Sequence, residues 1–321
     1  MQDDVMVSIT CITYNHENYI GDAIDGFLMQ KTSFPYEILI HDDASTDRTA
    51  EIIREYELKY PDLIKPIYQK ENQYSKGVKV GRFNRERAKG KYIALCEGDD
   101  YWTDPYKLQK QIDYMEANPC CSMCFHSVAI VDSVGRPTGR LINPYKEDCI
   151  VPIEELIVAG GGFFGTNSVI YPRQCMENPP DFYMQCPIGD APLALNLAIQ
   201  GTVYYINEVM SAYRIGVEGS WSDRLSRSRN RRIRHLKGMI HMRNQFNEYT
   251  NYKYSNSVDL IQIRNEAGIL IAKGDLRSLN NKRYKNYIGR LGKWYIAKLY
   301  LEKYLPNLCR AMVRLKQNFA R

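Results

Sequence analysis

The stretch IALCEGDDYWTDP, Ile93–Pro105, decides how the chain is read. An apolar run of strand character stops at Glu97, Asp99 and Asp100, three acids within four residues, and aromatics follow at once. Mutual repulsion makes such a cluster costly. Either the acids lie in a solvated surface turn, or something positive gathers there.

The segments before it choose between the two. VMVSITCIT (Val5–Thr13) is β-branched and largely apolar, as in a strand buried within a parallel sheet. Ile20, Ala23, Ile24, Phe27 and Leu28 then fall at i, i+3, i+4, i+7 and i+8, one face of a helix. YEILIH (Tyr36–His41) predicts a second strand, and DDASTDRT offers caps for a helix carrying Ile52, Ile53 and Tyr56. LIKPIYQ makes a poorer third strand because of Pro66, and KYIALCE (Lys91–Glu97) a good fourth. A helix with Leu108, Ile112 and Met115 follows, then a strand MCFHSVAIV. This alternation predicts an α/β domain with a mainly parallel sheet, whose ligands bind beyond the carboxyl ends of the strands. The polar clusters TYNHENY, DDASTD and EGDD all fall at such ends. One acidic turn is ordinary; three polar clusters at one edge form a site.

With 321 residues, 44% of them hydrophobic, the chain suits one large or two ordinary domains. No apolar run reaches the roughly eighteen residues of a spanning helix. MQDDVMVSIT lacks the basic start of a signal peptide, so export is not expected. Nine cysteines, an odd number mostly in apolar surroundings, read as reduced thiols and a cytoplasmic location. The net charge of +6 hides an asymmetry: from Arg224 to Arg321 there are 23 Lys plus Arg against 5 Asp plus Glu. The preceding residues hold 20 basic against 32 acidic groups. In the basic tail Tyr287, Leu291, Trp294, Tyr295, Lys298 and Leu299 mix rings and aliphatics with positive charge at helical spacing. That composition suits an anionic membrane surface, or a stripe packed on the rest of the chain. No nucleic-acid recognition motif accompanies the charge, so no nucleic-acid partner is expected. GGGFFGTNS (Gly160–Ser168) lacks the Lys-Ser/Thr ending of a phosphate loop and reads as a flexible segment lining a groove.

Adjacent carboxylates on a strand end suit a hard divalent cation, Mn2+ or Mg2+, which takes one or two protein oxygens and completes its shell with water and phosphate. At these residues the chain resembles family 2 glycosyltransferases of the GT-A fold, in particular bacterial members that build surface polysaccharides. ITYNHENYI, HDDASTDRTAEII, GKYIALCEGDDYWTDPYKLQKQ and CPIGDAPLALNLAIQG stand in the family's order over about residues 5–222. The resemblance implies a Rossmann-like, mainly parallel sheet flanked by helices in residues 1–222, with a nucleotide-sugar-binding half (1–104) and an acceptor half (105–222). A basic helical region, 223–321, follows. It implies an inverting, metal-dependent transfer of a sugar from a nucleoside-diphosphate donor, UDP-linked, to a hydroxyl of a glycan or lipid-linked acceptor. Such an enzyme would work in the cytoplasm or peripherally on the cytoplasmic membrane face.

Residue by residue, the resemblance assigns Thr13, Tyr14 and Asn15 to the nucleotide base, and Asp42 and Asp43 to base and ribose. Asp100 becomes the direct metal ligand, with Asp99 on the ribose or joining the metal site through a metal-bound water. Asp190, in IGDAPLALNLA, matches the general base, where position alone would read a helix cap. Two departures stand out. Relatives carry a YRxHxxS-like stretch, whereas AYRIGVEGSWS has Ile215 and Gly216 where the histidine is expected. Arg214 is retained and reads as a diphosphate contact or an ion pair, and Trp221 as an acceptor platform or packing. GVKVGRFNRERAKG departs from the family's Asn-rich stretch and leaves Arg82 and Asn84 as weak phosphate candidates. A nucleotidyltransferase is the first rival, but TYNHEN is not a triphosphate loop. A non-catalytic nucleotide-sugar-binding module is the second; the retained Asp99, Asp100 and Asp190 oppose it.

Overall fold

The β-branched run becomes β1 (Val7–Thr13), buried along nearly its whole length. It lies between β2 (Tyr36–Asp42) and β4 (Tyr92–Leu95), parallel to both. Between β1 and β2, α1 (Ile20–Leu28) buries Ile20, Ala23, Ile24 and Phe27 against the sheet. Asp47 Oδ1 accepts the Thr49 amide at 3.0 Å where α2 (Thr49–Lys59) begins. β3 (Ile64–Tyr68) carries Pro66 and takes the sheet edge, where a strand lacking one N–H is tolerated. The GRFNRER stretch forms α3 (Gly81–Arg87). The computed structural model describes residues 5–159, 162–186 and 188–305.

Past the acids, β5 (Tyr101–Trp102) and α4 (Lys107–Ala117) lead to β6 (Cys121–Val131) and its antiparallel neighbour β7 (Pro137–Ile142). β8 (Cys149–Val151), α5 (Ile153–Ala159), β9 (Ile170–Pro172), α6 (Asp181–Met184) and α7 (Asp190–Ala198) precede the long β10 (Thr202–Arg214). The strand order is β3-β2-β1-β4-β9-β6-β10-β5, with β7 on β6 and β8 on β10. Pairing is parallel from β3 to β4 and again between β6 and β10, while β9 runs antiparallel to β4 and β6.

The ground beneath the acids is tightly built. Trp102 is buried, edge-on to Phe27 at 4.9 Å. Gly26 admits it, because a Cβ there would stand 2.9 Å from the Trp102 amide nitrogen. The buried Lys107 ammonium lies 4.0 Å from the Trp102 ring centre and donates to Gln111 at 2.9 Å. Burial pushes its pKa down to about 7. The Trp102 indole donates to the Asn167 carbonyl at 2.8 Å, and the Asn167 amide donates to the Ala212 carbonyl at 2.8 Å. This corrects the expectation for Gly160–Ser168: Asn167 and Ser168 are fully buried joints, not a flexible groove lining. Gly160 and Gly161 lie outside the described residues.

The chain divides into two compact units, residues 1–184 with 188–220, and residues 185–187 with 221–321. The second contains α8 (Trp221–Arg227), α9 (Arg229–Tyr249), α10 (Ser255–Lys273), α11 (Lys285–Leu291) and α12 (Lys293–Tyr304). Its small core of Ala267, Leu276 and Leu279 gathers Tyr287, Ile288, Leu299 and Tyr300, while Trp294 stays 90% exposed. Among the described residues no helix is long and apolar enough to cross a membrane. The tail beyond Leu305, Cys309 included, lies outside the described residues.

Candidate active site

Parallel register brings the carboxyl ends of β1, β2 and β4 together. Thr13 pairs with Asp42, and the Gly98 amide donates to the Ile12 carbonyl at 2.9 Å. Gly98 allows that approach, since a Cβ there would meet Thr13 Oγ1 at 2.6 Å and His16 Nδ1 at 3.1 Å. Tyr14 leaves the strand with its side chain 40% exposed and available to a ligand ring. Asn15 has a φ of 54°, the left-handed region that Asn tolerates better than most residues. Its Oδ1 accepts the Thr46 amide at 2.8 Å and its own amide donates to Ser45 Oγ at 2.9 Å. Its side chain therefore ties the first turn to the second.

The acidic pair of the second turn divides its work. Asp42 is buried and accepts from the Ser45 hydroxyl, and from the Ser45 amide at 3.3 Å. Burial, and secondarily Asp47 and Asp43, hold its carboxyl above the usual range against those hydrogen bonds. Asp43 accepts the Gln73 amide at 2.8 Å on one oxygen and the Tyr74 amide at 2.9 Å on the other. It anchors the loop after β3 and presents Tyr74, 45% exposed. The sequence reading missed this loop, whose only signal was the polar run ENQYSK after an apolar strand.

Asp99 is partly exposed and Asp100 buried at 2%. Asp100 Oδ1 accepts the backbone amide of Arg214 at 2.9 Å, while Oδ2 is buried with no hydrogen-bond partner. Burial, with Asp99 and Glu97 adding to it, holds the Asp100 carboxyl well above its ordinary range. An orphaned carboxylate oxygen beside a second, accessible carboxylate fits a hard divalent ion that draws most of its ligands from water and phosphate. Among the described residues no group of three or more His, Cys, Asp or Glu could form an all-protein metal cage.

Burial, with Asp99 and then Asp190 adding to it, pushes the Glu97 carboxyl up to about 8. Asp190 opens α7, and its Oδ1 accepts the adjacent Ala191 amide at 2.8 Å. His16, which the sequence reading did not single out, has a buried Nδ1 without a partner. Burial lowers its pKa against the pull of Asp99, Asp47 and Asp42.

For Arg214 and Trp221 the structure shows the ion-pair and packing alternatives, and Asn84 differs from its expectation. The Arg214 guanidinium is buried against Asp22, 4.7 Å from the Tyr101 ring centre and 5.2 Å from that of Tyr19. It is engaged inside the fold, not extended toward a diphosphate. Asn84 is fully buried and donates to the Cys11 and Leu39 carbonyls, each at 2.9 Å. It braces β1 against β2 and is not a phosphate ligand. Trp221 belongs to the second unit, where its ring meets His235 edge-on at 5.1 Å.

The sheet and its flanking helices are those of a GT-A fold, and the comparisons give the family. The chain belongs to Glycosyl transferase family 2, which it matches over residues 8–170. It is 40% identical over 217 residues to the uncharacterized protein Rv1520 of Mycobacterium tuberculosis (strain ATCC 25618 / H37Rv), covering 67% of this chain and 60% of that relative's length. It is 38% identical over 112 residues to the Escherichia coli UDP-Glc:alpha-D-GlcNAc-diphosphoundecaprenol beta-1,3-glucosyltransferase WfaP, covering 35% of this chain and 41% of WfaP. Its fold resembles the mannosyltransferase PcManGT from Pyrobaculum calidifontis, solved with GDP-Man and Mn2+. There the TM-score is 0.56 at 16% identity, covering 98% of this chain and 90% of that one.

Proposed function

We propose that this glycosyltransferase is an inverting, metal-dependent enzyme that moves a sugar from a UDP-sugar to a hydroxyl of a glycan or lipid-linked acceptor in polysaccharide biosynthesis. The observation that carries the metal part is the buried Asp100 carboxylate, one oxygen fixed by a backbone amide and the other left without a partner. WfaP, named for a UDP-Glc donor and a lipid-diphosphate-linked acceptor, supports the donor and acceptor classes. PcManGT, solved with Mn2+, supports the metal.

In this reading Tyr14 flanks the base while Asp42, set by Ser45, and Asp43 line the base and ribose side with Thr13 and Asn15. Asp99 faces the ribose, and Asp100 and Asp99 hold Mn2+ or Mg2+. When bound, that ion supplies positive charge to the departing diphosphate. Asp190 takes the proton of the acceptor hydroxyl as its oxygen bonds to the anomeric carbon and the bond from that carbon to the diphosphate oxygen breaks. A single attack from the far face inverts the centre. A panel of UDP-sugars with Mn2+ should raise the melting temperature for one donor and yield free UDP with an acceptor. Equal stabilisation in EDTA would remove the metal from this account.

The basic second unit is the part we assign to an anionic membrane surface. On α12, Leu299 and Tyr300 pack inward, while Trp294 and Lys298, one turn apart, face outward. The protein should float with phosphatidylglycerol vesicles at low salt and be released at high salt, and Trp294→Ser should weaken flotation. Absence from the vesicle fraction at both salt concentrations would rule the surface out.

A further inference from the structure

The Arg214 side chain, buried near the acid loop, meets Asp22, Tyr19 and Tyr101. It ends β10, and its backbone amide holds Asp100 Oδ1 at 2.9 Å. Its guanidinium, on a side chain only 3% exposed, pairs with the Asp22 carboxylate, which α1 presents 58% exposed. The Tyr19 ring before α1 and the Tyr101 ring on β5 lie beside the same cation, at 5.2 and 4.7 Å. The turn after β6 closes over it at Gly135, where a Cβ would stand 3.2 Å from Arg214 Nη1. Four elements therefore converge on one charge, and the residue bearing it hands its amide to the metal-loop carboxylate.

We infer that Arg214, with Asp22 as its counter-ion, is a positioning residue for Asp100. The latch fixes Oδ1 on the β10 amide and so leaves Oδ2 as the oxygen that would be free to hold a cation. A buried guanidinium gives up much hydration, and the Asp22 carboxylate and two ring faces offset that loss only in this arrangement. The end of β10 is therefore held in one place. The inference rests on the metal role proposed above for Asp100, and it builds on the ion-pair alternative for Arg214 instead of the diphosphate one.

The two roles predict opposite signs. The probe is Mn2+ titrated by electron paramagnetic resonance in the presence of UDP, with UDP affinity in EDTA measured alongside. As a positioning residue, Arg214→Met weakens Mn2+ about tenfold, as loss of an orienting partner does, and leaves UDP affinity in EDTA within about twofold. Asp22→Asn, at an exposed carboxylate, weakens Mn2+ in the same direction, and the double variant is no worse than Arg214→Met alone. As a diphosphate ligand held in check by Asp22, Arg214 would behave otherwise. Arg214→Met would then lose UDP equally in EDTA, Asp22→Asn would bind UDP more tightly, and the inference would be overturned. Unchanged Mn2+ affinity in a folded Asp22→Asn protein overturns it as well, even where Arg214→Met fails to fold. Failure of the unsubstituted protein to bind Mn2+ with UDP would instead sink the metal role itself, and the latch with it.

Discussion

Asp190→Asn is expected to cut sugar transfer by about a thousandfold, the middle to upper range for loss of a general base, while UDP affinity stays within about twofold. Asp190 is also the first residue of α7 and accepts the Ala191 amide, so a helix-terminal role must be separated from a chemical one. Asparagine makes that separation. It serves a helix N-terminus about as well as aspartate and keeps an oxygen for the Ala191 amide. It has no carboxylate to receive the acceptor's proton. Transfer to a sugar acceptor and melting temperature should be followed together. A large loss of transfer with an unchanged melting curve identifies the base. Full transfer by the variant would remove Asp190 from the mechanism.

How far the site was legible in the sequence depended on whether its determinants are local. β1, β2, β4 and α1 are written in short-range periodicity, and burial along β1 follows its β-branched run. Pro66 weakened β3 as a strand without abolishing it, because a sheet edge leaves one backbone donor unneeded. The tasks of individual polar residues were not local. Asp100 and the Arg214 amide are 114 positions apart, and the amide donor carries no side-chain signal. Asn84 reads as a weak phosphate candidate until the sheet places the Cys11 and Leu39 carbonyls against it. Asp42 and Asp43 look interchangeable in HDDAS, yet alternation along the chain turns one to Ser45 and the other to the Gln73–Tyr74 loop. Asn167 is likewise invisible within a glycine-rich stretch, because its partners come from β5 and β10. Residue type gathered polar clusters at this edge; long-range register decided which of their atoms find partners within the protein.

Asp100→Asn should lower Mn2+-supported UDP binding by at least about a hundredfold, the upper end of what loss of even an indirect metal partner costs. It should also raise the melting temperature of the metal-free protein, the opposite of what removing a buried side chain usually does. Asparagine keeps an oxygen for the Arg214 amide and removes an acid that, buried beside Asp99 and Glu97, the folded metal-free chain favours only in its protonated form. The pH dependence carries the same information. Asp100 and Glu97 both have folded pKa values above their unfolded ones, so the folded chain retains protons that the unfolded chain releases. Their contribution to stability is present at acid pH, below the unfolded carboxylate range. It is lost as pH rises through the raised values, up to about 8 for Glu97. Without metal, the melting temperature should therefore decline across that window more steeply in the natural protein than in Asp100→Asn. Saturating Mn2+ should flatten the natural protein's decline and leave that of the variant unchanged, since the ion offsets the repulsion only where Asp100 is there to hold it. A variant that melts lower than the natural protein without metal, or still responds to Mn2+, would show that these acids are tolerated for some reason other than a cation.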